Sequence, residues 1–277
     1  MDVAQALALG QSRLPRRSGL PDPRREASWL LSRAWDKPEL TLRLEPDAEV
    51  PPAVLVRYEE WLERRAAGVP AHHLTRLCPF WGRDFLVSPA VLVPRPETEL
   101  VVVAAKELAL PTDAKVLDLG TGSGCIAVSL AAERPGWRVI ASDLSLSALA
   151  VAVANVHRHR VTVELVAADL AVPFAGAFDL VTANLPYIPA GLVASLSTEV
   201  QHDPTLALDG GVDGLDLVRR LLVDLPRLLV PGGHAVLELG EGQAAPVADL
   251  ACQRGLVEAS RLRDPGDCER VLILRRG

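Results

Sequence analysis

Lys115-Val116-Leu117-Asp118-Leu119-Gly120-Thr121-Gly122-Ser123-Gly124-Cys125-Ile126-Ala127 is the stretch that decides the fold. The apolar residues Val116, Leu117 and Leu119 run into three closely spaced glycines, and a helix-like run follows from Cys125 through Glu133. Strand, tight turn and helix in that order open a doubly wound α/β domain. Glycine serves where the chain must reverse through positive φ or let a ligand approach the backbone. Such a turn is expected to aim the first N–H groups of the helix into the crevice above the strand ends.

The glycines do not fit a dinucleotide fingerprint, because G-x-G-x-x-G needs its third glycine where Cys125 stands. Asp143 closes the next apolar run, Arg138-Val139-Ile140-Ala141-Ser142-Asp143, at 143 − 120 = 23 residues after the first glycine. A carboxylate at the tip of a second strand can accept both hydroxyls of a ribose. D-x-G-x-G-x-G followed by that acid resembles motif I and its partner acid in class I S-adenosylmethionine-dependent methyltransferases.

Around this core the chain falls into regions. Apolar residues make up 49% of the 277 positions, enough for one large and one small domain and too many for a disordered chain. Residues 1–75 carry helical periodicity: Leu7, Leu9 and Leu14, then Trp29 to Trp35, then Val54, Leu55, Tyr58, Trp61 and Leu62. Prolines at 15, 21, 23, 38, 46, 51 and 52 punctuate these segments, which read as a small helical bundle. Residues 76–93 contain Phe80-Trp81-Gly82-Arg83-Asp84-Phe85-Leu86-Val87, a short β-hairpin around Gly82-Arg83-Asp84 that links the bundle to a third region, 94–277. That region opens with Val93-Pro94-Arg95-Pro96-Glu97-Thr98-Glu99-Leu100, an extended lead into a helix whose first residues are acidic. Thr98 and Glu99 either face the ligand crevice or belong to a rigid linker with a helix cap.

Further strands are expected near 138–142, 162–168 and 178–183, with a helix near 145–157. Asp169 stands at the tip of the third, on the same edge as Asp118 and Asp143, so an adenine ring would fall near Asp169 and Leu170; a turn cap is the alternative for Asp169. A helix over 213–229, a strand over 232–239 and a closing pair near 258–264 and 271–275 complete a mostly parallel sheet with an antiparallel edge.

The fourth strand runs straight into Asn184-Leu185-Pro186-Tyr187. An amide nitrogen is a poor nucleophile, since its lone pair is delocalised into the carbonyl. A site helps by accepting both N–H groups and turning the nitrogen toward an electrophilic methyl. Asn184 supplies a side-chain oxygen for one, a backbone carbonyl at 184 or 185 can accept the other, and Tyr187 offers a flat wall for a planar amide or base.

Asn184-Leu185-Pro186-Tyr187 resembles the N-P-P-Y motif of methyltransferases acting on planar nitrogens. Pro94-Arg95-Pro96-Glu97-Thr98-Glu99, the hairpin, Pro70-x-x-His73-Leu74-Thr75 in the helical region and the stretch from Glu199 to Gly214 extend the likeness over nearly the whole chain. Together they resemble the PrmC/HemK family, the peptide chain release factor N5-glutamine methyltransferases. The resemblance implies a doubly wound, mostly parallel seven-stranded sheet with a small helical N-terminal domain for substrate recognition. It implies S-adenosylmethionine as cofactor, held by Gly120, Thr121, Gly122, Ser123, Gly124 and Asp143, with Asp169, Leu170 and Asn184 beside it. Asn184, Leu185, Pro186 and Tyr187 would form the catalytic stretch, and the substrate would be the glutamine of the Gly-Gly-Gln motif in class 1 release factors. Alternatives are another protein glutamine (in a ribosomal protein), an exocyclic base nitrogen, or a cofactor-binding relative without turnover. Leu185 replaces the family proline, and Leu170 stands where relatives often carry an aromatic residue, which weakens stacking on adenine.

A net charge of −6 and a pI of about 5.6 give no broad basic face for nucleic acid. The basic stretches Arg13–Arg25 and Arg57–Arg76 read as solvated helix sides. The four cysteines form no C-x-x-C pair, and the histidines lack ligand spacing beside them, so no metal site is expected. The absence of a signal-peptide pattern or membrane-length apolar run leads to the expectation of a cytoplasmic protein without a membrane partner.

Overall fold

The computed structural model describes residues 1–15 and 22–277. Arg16 and Arg17 of the basic stretch, and the punctuating Pro21, lie outside the described residues. Two compact units emerge, one of Met1–Leu77 with Ser197–His202, the other of Cys78–Leu196 with Asp203–Gly277.

The first unit is helical: α1 (Val3–Arg13), α2 (Pro23–Trp35), α3 (Glu39–Leu44), α4 (Pro52–Ala66) and α5 (Ala71–Thr75). Local chemistry sets the starts. Asp2 and Gln5 form a reciprocal capping box on α1, and Asp22 caps α2 just ahead of Pro23. The periodic residues Leu30, Leu31, Tyr58 and Leu62 are fully buried, as is Leu42 of α3, with Trp29, Trp35 and Trp61 packed against them. Arg65, 3% exposed, donates to Glu26 at 2.6 Å and lies 2.9 Å from Glu199, which the segment Ser197–His202 delivers.

In the second unit, β1 (Leu77–Phe80) and β2 (Arg83–Leu86) make the expected hairpin, but its turn sits one residue earlier than expected. Trp81 (φ 51°) and Gly82 (φ 66°) are both left-handed, the twist that a two-residue hairpin turn requires. The large sheet comprises β3 (Lys115–Leu119), β4 (Arg138–Asp143), β5 (Val163–Ala167), β6 (Phe178–Asn184), β7 (Leu229–Glu238), β8 (Leu256–Arg263) and β9 (Glu269–Arg276). Their spatial order is β5-β4-β3-β6-β7-β9-β8. The pairs β3–β4, β3–β6, β4–β5 and β6–β7 are parallel, while β9 runs antiparallel to β7 and β8.

Helices α6 (Glu99–Glu107), α7 (Cys125–Glu133), α8 (Leu146–His159), α9 (Ala190–Val193), α10 (Asp216–Leu228) and α11 (Ala244–Cys252) complete the unit. Alternation along the strands builds two cores. Leu117, Leu119, Val181 and Leu237 share one cluster with residues of α10 and α11; Val116, Leu180 and Val236 share the other with residues of α6 and α7. Helix α10 contributes the stripe Val218, Leu221, Leu222, Leu225 and Leu228, all buried. It starts at Asp216 because the Asp213 carboxylate accepts the Leu215 N–H at 3.2 Å and holds the preceding turn. This is the doubly wound, mostly parallel seven-stranded arrangement that the sequence predicts.

Candidate active site

Parallel strands with helices on both faces open a crevice beyond their carboxyl ends, where the order reverses beside β3. A cavity of about 380 Å³ lies there. Its walls include Gly120, Thr121, Gly122, Ser123, Asp143, Asp169, Leu170, Asn184, Leu185 and Pro186, so most of the site residues named from the sequence come together. Gly124 and Tyr187 lie off that wall.

The glycine turn is held from within. Gly120 (φ 68°) and Gly124 (φ 81°) occupy left-handed backbone, which favours glycine. The Thr121 N–H donates to the Ser142 carbonyl at 2.9 Å and the Gly124 N–H to the Thr121 carbonyl at 2.8 Å. Gly122 donates its N–H to the Asp143 carboxylate at 2.9 Å. The N–H groups of Thr121, Gly122 and Gly124 therefore hold the turn to itself and to the end of β4, while Cys125 and Ile126, the first residues of α7, border the cavity. Asp143 also accepts the Ser145 N–H at 2.8 Å, which fixes both carboxylate oxygens on the cavity wall with lone pairs to spare.

Beneath the turn lies Asp118, fully buried, which accepts the Thr121 hydroxyl at 2.6 Å and the Thr182 hydroxyl at 2.7 Å. Burial pushes its carboxyl up to about 6, against the pull of those two hydroxyls. Cys125 is buried behind the turn, as its small apolar side chain suggests. On the far side Asp169 pairs with Arg220 at 2.7 Å, and Leu170 adopts a left-handed backbone (φ 49°).

The other half of the crevice is made by the ends of β6 and β7. Asn184 donates its Nδ2 to the Thr98 hydroxyl at 3.1 Å. Thr98 is buried and lines the cavity, so the crevice-facing alternative for that residue holds. Glu99 instead accepts the Trp81 N–H at 2.7 Å and anchors the hairpin turn. Leu185 is buried in the sheet core, and a methyl group on Gly120 would come within 3.0 Å of its Cδ2. Tyr187 is half-buried, its carbonyl accepts Gln243 Nε2 at 3.0 Å, and burial pushes its hydroxyl up to about 12.

Two groups were missed in reading the sequence. Asp203, almost fully buried, accepts the Val93 N–H at 3.4 Å and pairs with Arg95 at 2.5 Å, holding the Pro-Arg-Pro segment that leads to Thr98. Glu238 stands at the tip of β7, opposite Asn184 in the strand register. Part of the signal for Glu238 was local, an acid closing an apolar strand as Asp143 does; its meeting with Asn184 was not.

The residues fit a nucleoside bearing a sulfonium. The cavity has the volume of a small-molecule site, Gly122 leaves open space beside its backbone, and the Asp143 carboxylate on the wall keeps lone pairs free to accept hydroxyl donors. Among the described residues, no group of histidine, cysteine and acidic side chains could hold a metal ion, and no helix is long and apolar enough to cross a membrane.

Comparison with known proteins gives the same picture. Residues 5–75 match the PrmC N-terminal domain model, and residues 98–200 match the methyltransferase small domain model. A release factor glutamine methyltransferase of Moorella thermoacetica is 43% identical over 257 residues, covering 91% of this chain and 90% of the relative. One of Cereibacter sphaeroides is 42% identical and covers 99% of each chain. Among solved structures, a methyltransferase from Pyrococcus furiosus shares the fold with a TM-score of 0.55 at 20% identity, over 72% of this chain and 91% of that one.

Proposed function

This chain belongs to the release factor glutamine methyltransferase family, and on that premise we propose that its crevice methylates the N5 amide of the Gly-Gly-Gln glutamine in class 1 peptide chain release factors. It is an S-adenosylmethionine-dependent methyltransferase. The observation that carries the reading is Asn184, whose Nδ2 is held by Thr98 at the edge of the same cavity that the glycine turn lines.

The cofactor supplies an electrophilic methyl group on a positively charged sulfur. Asp143 would take the ribose hydroxyls, Gly120 to Gly124 would shape the wall near the sulfur, and Asp169 and Leu170 would flank the adenine. Toward the substrate, Asn184 offers Oδ1 to one N–H of the glutamine amide. We assign the second N–H to the Leu185 carbonyl, whose extended backbone Pro186 favours. Held on both sides, the nitrogen would be oriented for transfer, and that alignment would supply most of the rate. When bound, the cofactor would supply the methyl group for the new N–C bond and its sulfur would keep the electron pair of the broken C–S bond, while one amide proton of the glutamine would leave to water.

Leu185 reshapes this site without dismantling it. Pro186 still biases its predecessor toward extended backbone. The leucine side chain fills the space against Gly120 that a proline ring would leave partly empty. The helical unit is assigned to recognition of the release factor, and the reaction to the cytoplasm, with no nucleic acid or membrane as partner.

The test is to incubate the chain with S-adenosylmethionine and a release factor and weigh the Gly-Gly-Gln peptide. A peptide heavier by one CH₂ group is the expected result. An unchanged peptide, with cofactor binding intact, contradicts the assignment.

A further inference from the structure

Glu238 is 3% exposed, and its Oε2 has no hydrogen-bond partner among the described residues. A buried carboxyl oxygen left unpaired costs stability and calls for a reason. Strand register sets Glu238 directly beside Asn184, and hydrogen bonds from Thr98 and Asn184 favour its charged form. Thr98 in turn accepts from Asn184 Nδ2 at 3.1 Å. Both acceptors therefore sit on the NH₂ side of the Asn184 amide.

We propose that Glu238 is a positioning residue for the methyl transfer: its carboxylate, with the Thr98 hydroxyl, holds the Asn184 amide with NH₂ turned inward and Oδ1 turned to the substrate. The inference rests on the methyltransferase reading of Asn184 given above. Its chemical content is one of donors and acceptors. A carboxylate can only accept, so the asparagine must turn its NH₂ toward it. A protonated Glu238 has an O–H to donate, and Asn184 can then rotate its oxygen inward to receive it, leaving NH₂ facing a substrate amide that also needs acceptors.

The surroundings put this switch in an accessible pH range. Burial pushes Glu238 up to about 7, and Glu97 adds to the shift, while Thr98, Arg270 and Asn184 oppose it. Tyr187 and Cys125, which also feel Glu238, stay neutral over that range, because the tyrosine hydroxyl is raised to about 12 and burial pushes the Cys125 thiol up. The functional orientation of Asn184 therefore belongs to the alkaline side of Glu238.

The test uses the full chain and Glu238→Gln, whose amide can donate or accept and so no longer dictates the asparagine. The side-chain ¹H–¹⁵N signals of Asn184 are followed across neutral pH without substrate. Single-turnover methylation of the release factor is then measured at saturating S-adenosylmethionine. The wild-type Asn184 signals are expected to titrate with a midpoint near 7, and those of Glu238→Gln to be flat. Transfer by the wild type should rise with pH through the same midpoint. Glu238→Gln should be slower by about ten- to a hundredfold and lack that acid limb, with unchanged affinity for S-adenosylmethionine. Asn184 signals indifferent to Glu238, or a variant with wild-type rate and pH profile, would overturn the proposal. A wild type that methylates no release factor defeats the substrate assignment instead, and the Asn184 signals still decide the role of Glu238.

Discussion

Around the tips of β3 and β4 the crevice is shaped by backbone: left-handed glycines, and turn amides bonded to the turn itself and to the end of β4, hold Asp143 at the wall. Around the tips of β6 and β7 it is shaped by side chains, Asn184 on Thr98 with the buried Glu238 behind them. A backbone scaffold has few alternative states, even with the buried Asp118 beneath it raised to about 6, because its geometry holds no amide to turn over. A side-chain network can be reversed by turning one amide over. The cofactor half should therefore answer to mutation through affinity, and the acceptor half through turnover and pH.

Replacing Asn184 with alanine should produce the largest effect. Loss of one preorganised hydrogen-bonding group at the reacting centre costs about 10²- to 10³-fold in rate. Single-turnover methylation checks this, and a rate within a few-fold of wild type would erase the distinction between the two halves.

Next comes a stability effect read at the acceptor half. Glu238 has a folded pKa raised to about 7, above its unfolded value, so its neutral form favours the folded state in acid and that contribution is lost as pH rises through 7. Glu238→Gln does not titrate. Its stability relative to wild type should therefore climb by roughly 3 kcal/mol between pH 4 and pH 8 in urea titrations. A constant difference would mean that Glu238 is not buried neutral at low pH.

Asp143→Ala sharpens the other side. It should weaken S-adenosylmethionine binding by about 10- to 100-fold, the worth of charge-assisted hydrogen bonds, while transfer at saturating cofactor stays close to normal.

How much of this was legible depended on how far apart in sequence the partners lie. The turn at Gly120–Gly124 and Asp143 sit in one βαβ unit, where apolar runs and spacing specify strand tips directly. Asn184 was legible because its strand runs straight into it. Glu238 was not singled out, since its meeting with Asn184 depends on β6–β7 register, which no local pattern states. The same holds for Asp203, whose partners Val93 and Arg95 lie over a hundred residues away. Helix α11 escaped because its nine residues begin with two alanines and a proline and lack a clear apolar period. The bonds that hold the glycine turn are invisible to composition, since Ser142 and Asp143 reach it from the next strand.

The smallest effect concerns the contact between the two halves. Leu185→Pro should leave the methylation rate within a few-fold of wild type. It should cost about 1–3 kcal/mol of stability, because a buried side chain packed at Gly120 is partly removed. Thermal unfolding beside an activity assay separates the two, and a rate collapse with stability intact would show that the leucine shapes the chemistry itself.

The division is tested most directly by calorimetric titration of Asn184→Ala with S-adenosylmethionine. The account predicts a dissociation constant indistinguishable from wild type, from a protein that no longer transfers the methyl group. A constant weakened as far as that of Asp143→Ala would contradict it, placing Asn184 among the groups that hold the cofactor.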